Sequence, residues 1–236
     1  VLAGTPLHVV QVIEVLLGRV WTGKSSAGNT ILGREEFDTR RLTEECEKRQ
    51  GEVAGRLLTV IDTPGWYSLQ DTADWLKKEI VRSVSLCPPG PHSFLLTIPL
   101  APFTEQDRRA VEEHLGLLGD RVWRHTLVLF TWGDGKGGTG LEQAIKRGGE
   151  DLQRLVEKCG NRVHVLHNNN TGDRGQVTEL LEKIEALVAG SPDAFFLGSD
   201  GRITQEEQEK KQRDQCPEAK EEIQWEKGKL QQRQKN

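Results

Sequence analysis

The chain has 236 residues, 35% of them hydrophobic and 29% charged, with a formal net charge of −4. That balance argues against a broad basic face for nucleic acid, and no stretch approaches the roughly 20 apolar residues of a membrane-spanning helix. Four scattered cysteines, Cys46, Cys87, Cys159 and Cys216, lack metal-ligand spacing and suit reduced thiols in a cytoplasmic protein.

Taken in order, the predicted elements alternate. Val9–Leu17 is an apolar, β-branched strand. It runs into Gly18-Arg19-Val20-Trp21-Thr22-Gly23-Lys24-Ser25, and a helix follows from Lys24 to Leu32, stopping at Gly33. Glycines at the ends of such a loop let successive backbone N–H groups converge on phosphate oxygens at a helix N-terminus. The lysine reaches the outer phosphates and the Ser25 hydroxyl is placed for Mg²⁺. This loop points to a nucleoside triphosphate with Mg²⁺ as the ligand class.

Glu47–Ala54 and Arg56–Asp62 read as two strands turning at Gly55. The second ends in Asp62-Thr63-Pro64-Gly65. A carboxylate closing an apolar strand suits Mg²⁺, held opposite Ser25, and the Gly65 N–H is then placed for the terminal phosphate. Small GTPases often carry a water-positioning glutamine just after this glycine. Here the residue is Trp66, which predicts slow intrinsic hydrolysis.

Thr72–Leu86 is an amphipathic helix ended by Cys87-Pro88-Pro89-Gly90-Pro91. Ser93–Ile98 is a strand, and Thr104–Leu118 a helix with Thr104 as N-cap and Asp107 at the capping-box position. His125–Thr131 is a buried strand, Leu141–Cys159 one long helix, Val163–His167 a short strand and Gln176–Ala189 a closing helix. Strands alternating with helices predict an α/β fold, a mostly parallel sheet covered on both faces, with ligands at the carboxyl ends of the strands. Gln205–Asn236 is rich in Glu, Lys, Gln and Arg. It reads as a charged helical or disordered tail, with a coiled-coil or partner-binding extension as the alternative. The domain is expected over 8–190 and the tail over 191–236. The absence of methionine, even at the start, reads as a piece of a longer product.

Four stretches together resemble the GIMAP family of immunity-associated GTPases. They are Leu17–Gly33, Asp62–Trp66, Ser85–Leu96 with its Pro-Gly-Pro-His box, and Leu129–Asp134; the last is similar to the fish branch, with Trp-Gly-Asp at the guanine site. The resemblance implies a P-loop GTPase-type fold and a switch that binds GTP or GDP with Mg²⁺. It also implies pairing into a homodimer or homo-oligomer through the nucleotide face in the GTP state, and a role in immunity.

Carried over by residue, it assigns the phosphate loop to Gly18, Arg19, Val20, Trp21, Thr22, Gly23, Lys24, Ser25 and Ser26. Thr39 falls at a switch position near the nucleotide, and Thr43, with Ser25 and Asp62, at the metal. Asp134 would read guanine, with Gly133 before it and Trp132 packed beside the base. A register shifted by one puts Gly135 at that position instead. Asn168, alone or with Asn169, either meets the guanine oxygen or belongs to an Asn-rich turn leading to Gly172. Pro102 stands where relatives often carry an arginine that serves a neighbouring subunit. Arg108 and Arg109 read as solvated helix charges, and His92 as a structural or interface residue. No catalytic residue is assigned. Two alternatives to a weak GTPase remain: an assembly scaffold with little or no hydrolysis of its own, and an NTPase of relaxed base preference.

Overall fold

The computed structural model describes residues 10–67, 72–131, 141–169 and 173–197. Six strands form one sheet in the order β2-β3-β1-β4-β5-β6. They are β1 (Val10–Leu17), β2 (Glu47–Val53), β3 (Arg56–Asp62), β4 (Ser93–Pro99), β5 (Thr126–Thr131) and β6 (Val163–Val165). Every pairing is parallel except β2 with β3. That hairpin turns through Ala54 and Gly55, both at positive φ, the backbone signature of a tight two-residue hairpin turn. The expected α/β architecture is present.

β1, β3, β4 and β5 are buried on both sides because two helical layers cover the sheet. Their side chains divide by the period of the pleat. Ile13, Val15 and Leu17 join one core with Phe94, Leu96, Val128 and Phe130. Val12 and Leu16 join the other with Leu58, Leu95, Leu127 and Leu129. The first layer holds α2 (Asp74–Ser85), α3 (Glu105–Gly116) and α5 (Gly149–Lys158), which contribute Leu76, Ile80, Val111, Leu115, Leu152 and Leu155. The second holds α1 (Lys24–Leu32) and α6 (Arg174–Ala189), contributing Ala27, Ile31, Val177, Leu180, Leu181 and Ile184.

The Thr104/Asp107 capping box is formed in both directions. The single helix expected over Leu141–Cys159 is instead two, α4 (Leu141–Arg147) and α5. Gly149, the first residue of α5, lies at φ 83°, and a β-carbon on Gly148 would press on Leu152; the adjacent glycines let the chain leave helical geometry. A short 3-10 helix, Asp120–His125, precedes β5.

The Pro-Gly-Pro-His box lies at the amino end of β4, away from the carboxyl ends of the strands. His92 donates its backbone N–H to Ile13 and accepts the Ile13 N–H on Nδ1. Phe196 donates to the Pro91 carbonyl and packs edge-on against Phe94 and His125. Gly90 leaves the room this needs, since a β-carbon there would lie 2.0 Å from the Phe196 carbonyl oxygen. Burial, then the neighbouring His125, hold His92 neutral, with its pKa near 4. Among the described residues no helix is long and apolar enough to cross a membrane. The charged tail expected after residue 191 lies largely outside them.

Candidate functional site

β1 ends at Leu17, and the chain crosses the top of the sheet before α1 begins. Three threonines pin this crossing from below. The Thr22 and Thr97 hydroxyls share a 2.7 Å hydrogen bond, Thr97 also donates to the Leu17 carbonyl, and Thr131 donates to the Thr22 carbonyl. Thr97 and Thr131 sit at the carboxyl ends of β4 and β5, so the neighbouring strands set the height of the loop. Gly18 is required where the loop passes Thr97, because a β-carbon would fall 2.3 Å from its hydroxyl. Thr97 and Thr131 were missed in the sequence; a threonine closing an apolar strand is the signal that could have found them.

Gly23, at φ 81°, turns the chain into α1 with no side-chain cap. The N–H groups of the first turn therefore have no intrahelical partner and stay available to a ligand. Val20, Trp21, Gly23, Lys24, Ser25 and Ser26 line one cavity of about 400 Å³, joined by Thr39, Arg41, Leu42 and Thr43 from the loop before β2, by Gly65, and by Asn168 and Asn169 after β6. Trp21 adopts φ 62° and is 65% exposed. A bulky residue in the left-handed region costs on the order of 1–3 kcal/mol and gathers at functional sites.

Lys24 is buried, its ammonium 3.1 Å from the Arg19 carbonyl. Burial pulls its pKa down to about 8, against the attraction of Asp62. Asp62 is buried too. Its Oδ2 accepts from the Ser25 hydroxyl at 2.6 Å and from the Thr43 hydroxyl at 2.9 Å, while Oδ1 has no hydrogen-bond partner among the described residues. Burial raises the Asp62 pKa; Lys24 and the two hydroxyls oppose this. Two hydroxyls, a carboxylate and one orphaned carboxylate oxygen form a set of hard donors that fits a small divalent cation. Gly65 closes against the loop so tightly that a β-carbon would lie 2.6 Å from the Val20 nitrogen and 2.8 Å from Lys24 Nζ.

The remaining residues fall elsewhere. Arg19 points away toward Asp107, at 3.7 Å. Trp66 donates nothing to the cavity: its carbonyl accepts the Val20 N–H, and its indole is buried, stacked on the His114 ring at 4.4 Å. Asn168 accepts from the Thr30 hydroxyl and reaches the Gly23 carbonyl, tying the loop after β6 to α1. Arg108 bridges Asp151 and Glu112, and Arg109 pairs with Glu105, so both are engaged on the surface of α3. Trp132, Gly133 and Asp134 lie outside the described residues.

The model of the AIG1 family matches residues 13–216. The chain is 35% identical over 182 residues to immune-associated nucleotide-binding protein 9 of Arabidopsis thaliana, covering 74% of this chain and 53% of that protein. It is 33% identical over 184 residues to GTPase IMAP family member 8 of Homo sapiens, covering 75% and 27%. It thus spans about half the length of the first relative and about a quarter of the second. Among solved structures, Toc33 from Arabidopsis thaliana in complex with GDP and Mg²⁺ superposes with a TM-score of 0.61 over 78% of this chain and 86% of that one, at 15% identity. A second structure, described under the importance of dimerization for the GTPase activity of atToc33 and psToc159, superposes with a TM-score of 0.60 at the same identity, over 78% and 85%. At that identity the likeness is one of fold.

Proposed function

The chain belongs to the AIG1 family, and from that premise we propose that it is a guanine-nucleotide switch that binds GTP and GDP with Mg²⁺ and hydrolyses GTP slowly. The observation that carries this reading is the meeting of Ser25, Thr43 and Asp62 beside a buried lysine, under a loop whose helix N-terminus opens on the same cavity. Gly18 to Ser26 form the phosphate cradle. Lys24 neutralises the outer phosphates, and the Gly65 N–H serves the terminal one. Ser25, Thr43 and Asp62 hold Mg²⁺, which screens the phosphate charge when bound.

Thr43 belongs to the loop before β2 and Gly65 to the loop after β3. Losing the terminal phosphate releases both, which is how such a site switches. Thr39 and Asn168 border the nucleotide, and Asp134, with Trp132 and Gly133, reads the base. Slow turnover is supported by the placement of Trp66: its indole, directly after Gly65, lies in the core and offers no carboxamide to water. Pairing through the nucleotide face is supported by Trp21 and Leu42, 65% and 42% exposed at the rim of the cavity, and by the dimerisation described for the structural neighbours atToc33 and psToc159. An immune-related role accords with the names of the relatives, and a cytoplasmic location is part of the same proposal.

Calorimetry with GDP, GTP and ATP in Mg²⁺ tests the reading. Guanine nucleotides bind, Lys24→Ala abolishes the heat, and Asp134→Asn narrows the gap between GTP and ATP. Silence with every nucleotide refutes it. The second reading, an assembly scaffold, is favoured by Pro102 and Trp66, and predicts bound GTP that outlasts any assembly without being consumed.

A further inference from the structure

Besides Lys24, one cation lines the phosphate cavity among the described residues: Arg41, two positions before Thr43. The other guanidiniums nearby do not line it: Arg19 turns out of the cavity toward Asp107, and Arg108 is locked between Asp151 and Glu112. Arg41 bonds Glu47 and reaches Asp38 at 4.0 Å, yet its side chain stays 53% exposed. Glu47 opens β2 and stands directly opposite Asp62 in the β2–β3 ladder. The acid that parks Arg41 therefore neighbours the carboxylate that gathers Ser25 and Thr43. The Thr43–Asp62 hydrogen bond tethers the loop only two residues from the guanidinium.

We propose that Arg41 is a catalytic residue supplied in cis, its guanidinium leaving Glu47 to meet the phosphates of bound GTP as the terminal phosphoryl group departs. The inference rests on the GTP-binding reading above. In hydrolysis the water oxygen bonds to the γ-phosphorus as the bond to the β–γ bridging oxygen breaks. The electron pair of that bond stays on the GDP leaving oxygen, and the water proton ends on the released phosphate. Negative charge therefore builds on the bridging oxygen. A planar guanidinium offers two parallel N–H donors to adjacent phosphoryl oxygens and is not deprotonated at any working pH. It needs to exchange its carboxylate partners, Glu47 and Asp38, for another anion. This places the missing positive charge within the chain itself, where Pro102 supplies none.

The test is single-turnover GTP hydrolysis with the full chain in Mg²⁺, alongside GTP affinity and retention of the GDP–aluminium fluoride complex. Arg41→Ala lowers the hydrolysis rate about a thousandfold or more, leaves GTP affinity little changed and loses the fluoride complex. Arg41→Lys recovers part of the rate. Arg40→Ala, whose side chain is 89% exposed and paired with Asp38, behaves as wild type, and the rate per site does not depend on protein concentration. The inference is overturned by an unchanged rate in Arg41→Ala, by a fall in GTP affinity that accounts for the whole effect, by a rate that climbs with protein concentration, or by wild-type protein that holds GTP without turnover. Failure of wild type to bind GTP at all refutes the nucleotide reading itself.

Discussion

Glu14 sits in the middle of β1, fully buried, with both carboxyl oxygens lacking a partner among the described residues. Its ladder neighbours are Val60 and Ser93, and the Ser93 hydroxyl is also unpartnered there. No charged group contributes to its shift: burial alone pushes its pKa from 4.5 to about 8. A carboxyl whose folded pKa is raised contributes stability that is complete below the unfolded value and is lost as pH rises through the folded one. Over the window from about 4.5 to about 8 that loss runs at about 1.4 kcal/mol per pH unit at most. Glu14→Gln removes the titration. Denaturation of both proteins across pH 5 to 8 should show the variant gaining on wild type as pH rises, and parallel curves would refute this. The comparison isolates Glu14, because His92 and His164, held neutral by burial, shift stability the opposite way in both proteins.

At the scale of an element, the run from Ser26 to Gly33 does more than continue the phosphate loop. Gly28 faces the Phe37 ring, where a β-carbon would lie 2.6 Å away. Asn29 accepts the N–H groups of Glu36 and Phe37 and donates to the Phe37 carbonyl. Gly33, at φ 71°, caps α1 through N–H bonds to Asn29 and Thr30. α1 thus serves as the anchor for the loop that carries Thr39, Arg41 and Thr43. Asn29→Ala strands three backbone groups; the two on Phe37 are buried, and a buried group without a partner costs about 1–3 kcal/mol. The variant should be less stable to urea by about 2–4 kcal/mol and release a fluorescent GDP faster than wild type. An unchanged release rate would show that the loop does not depend on this anchor. Both the family likeness and the helix were legible here, yet the reason for this string of small and polar residues was not, because Phe37 is distant until the loop folds back.

Across the whole molecule, the box at the amino end of β4 organises the last described residues rather than the nucleotide. Phe196 is 1% exposed and fills a slot between Phe94 and His125. The core thereby draws on a residue beyond Ala189, where the closing helix ends. Phe196→Ala should cost about 3–5 kcal/mol in denaturant stability while sparing nucleotide affinity, since the slot and the phosphate loop lie at opposite ends of β4. A coupled loss of binding in folded protein would contradict this separation. The local signal for this insertion, the apolar run Ala194-Phe195-Phe196-Leu197, lies just past the Ser191-Pro192 break, which read most simply as a boundary.

What the sequence by itself determined is most of what depends on local order: the strand–helix alternation, the glycine-ended phosphate loop, the capping box, and Asp62 at the end of an apolar strand. Each is written in consecutive residues, because backbone conformation and side-chain periodicity act over a few positions. The tertiary structure alone decided which distant groups share a site. It turned the Trp66 indole into the core against His114, set Thr97 and Thr131 under the loop, and left Arg41 at the mouth of the cavity. Those outcomes follow from strand order and from which face of a loop meets packed side chains, quantities that exist only once the sheet is assembled.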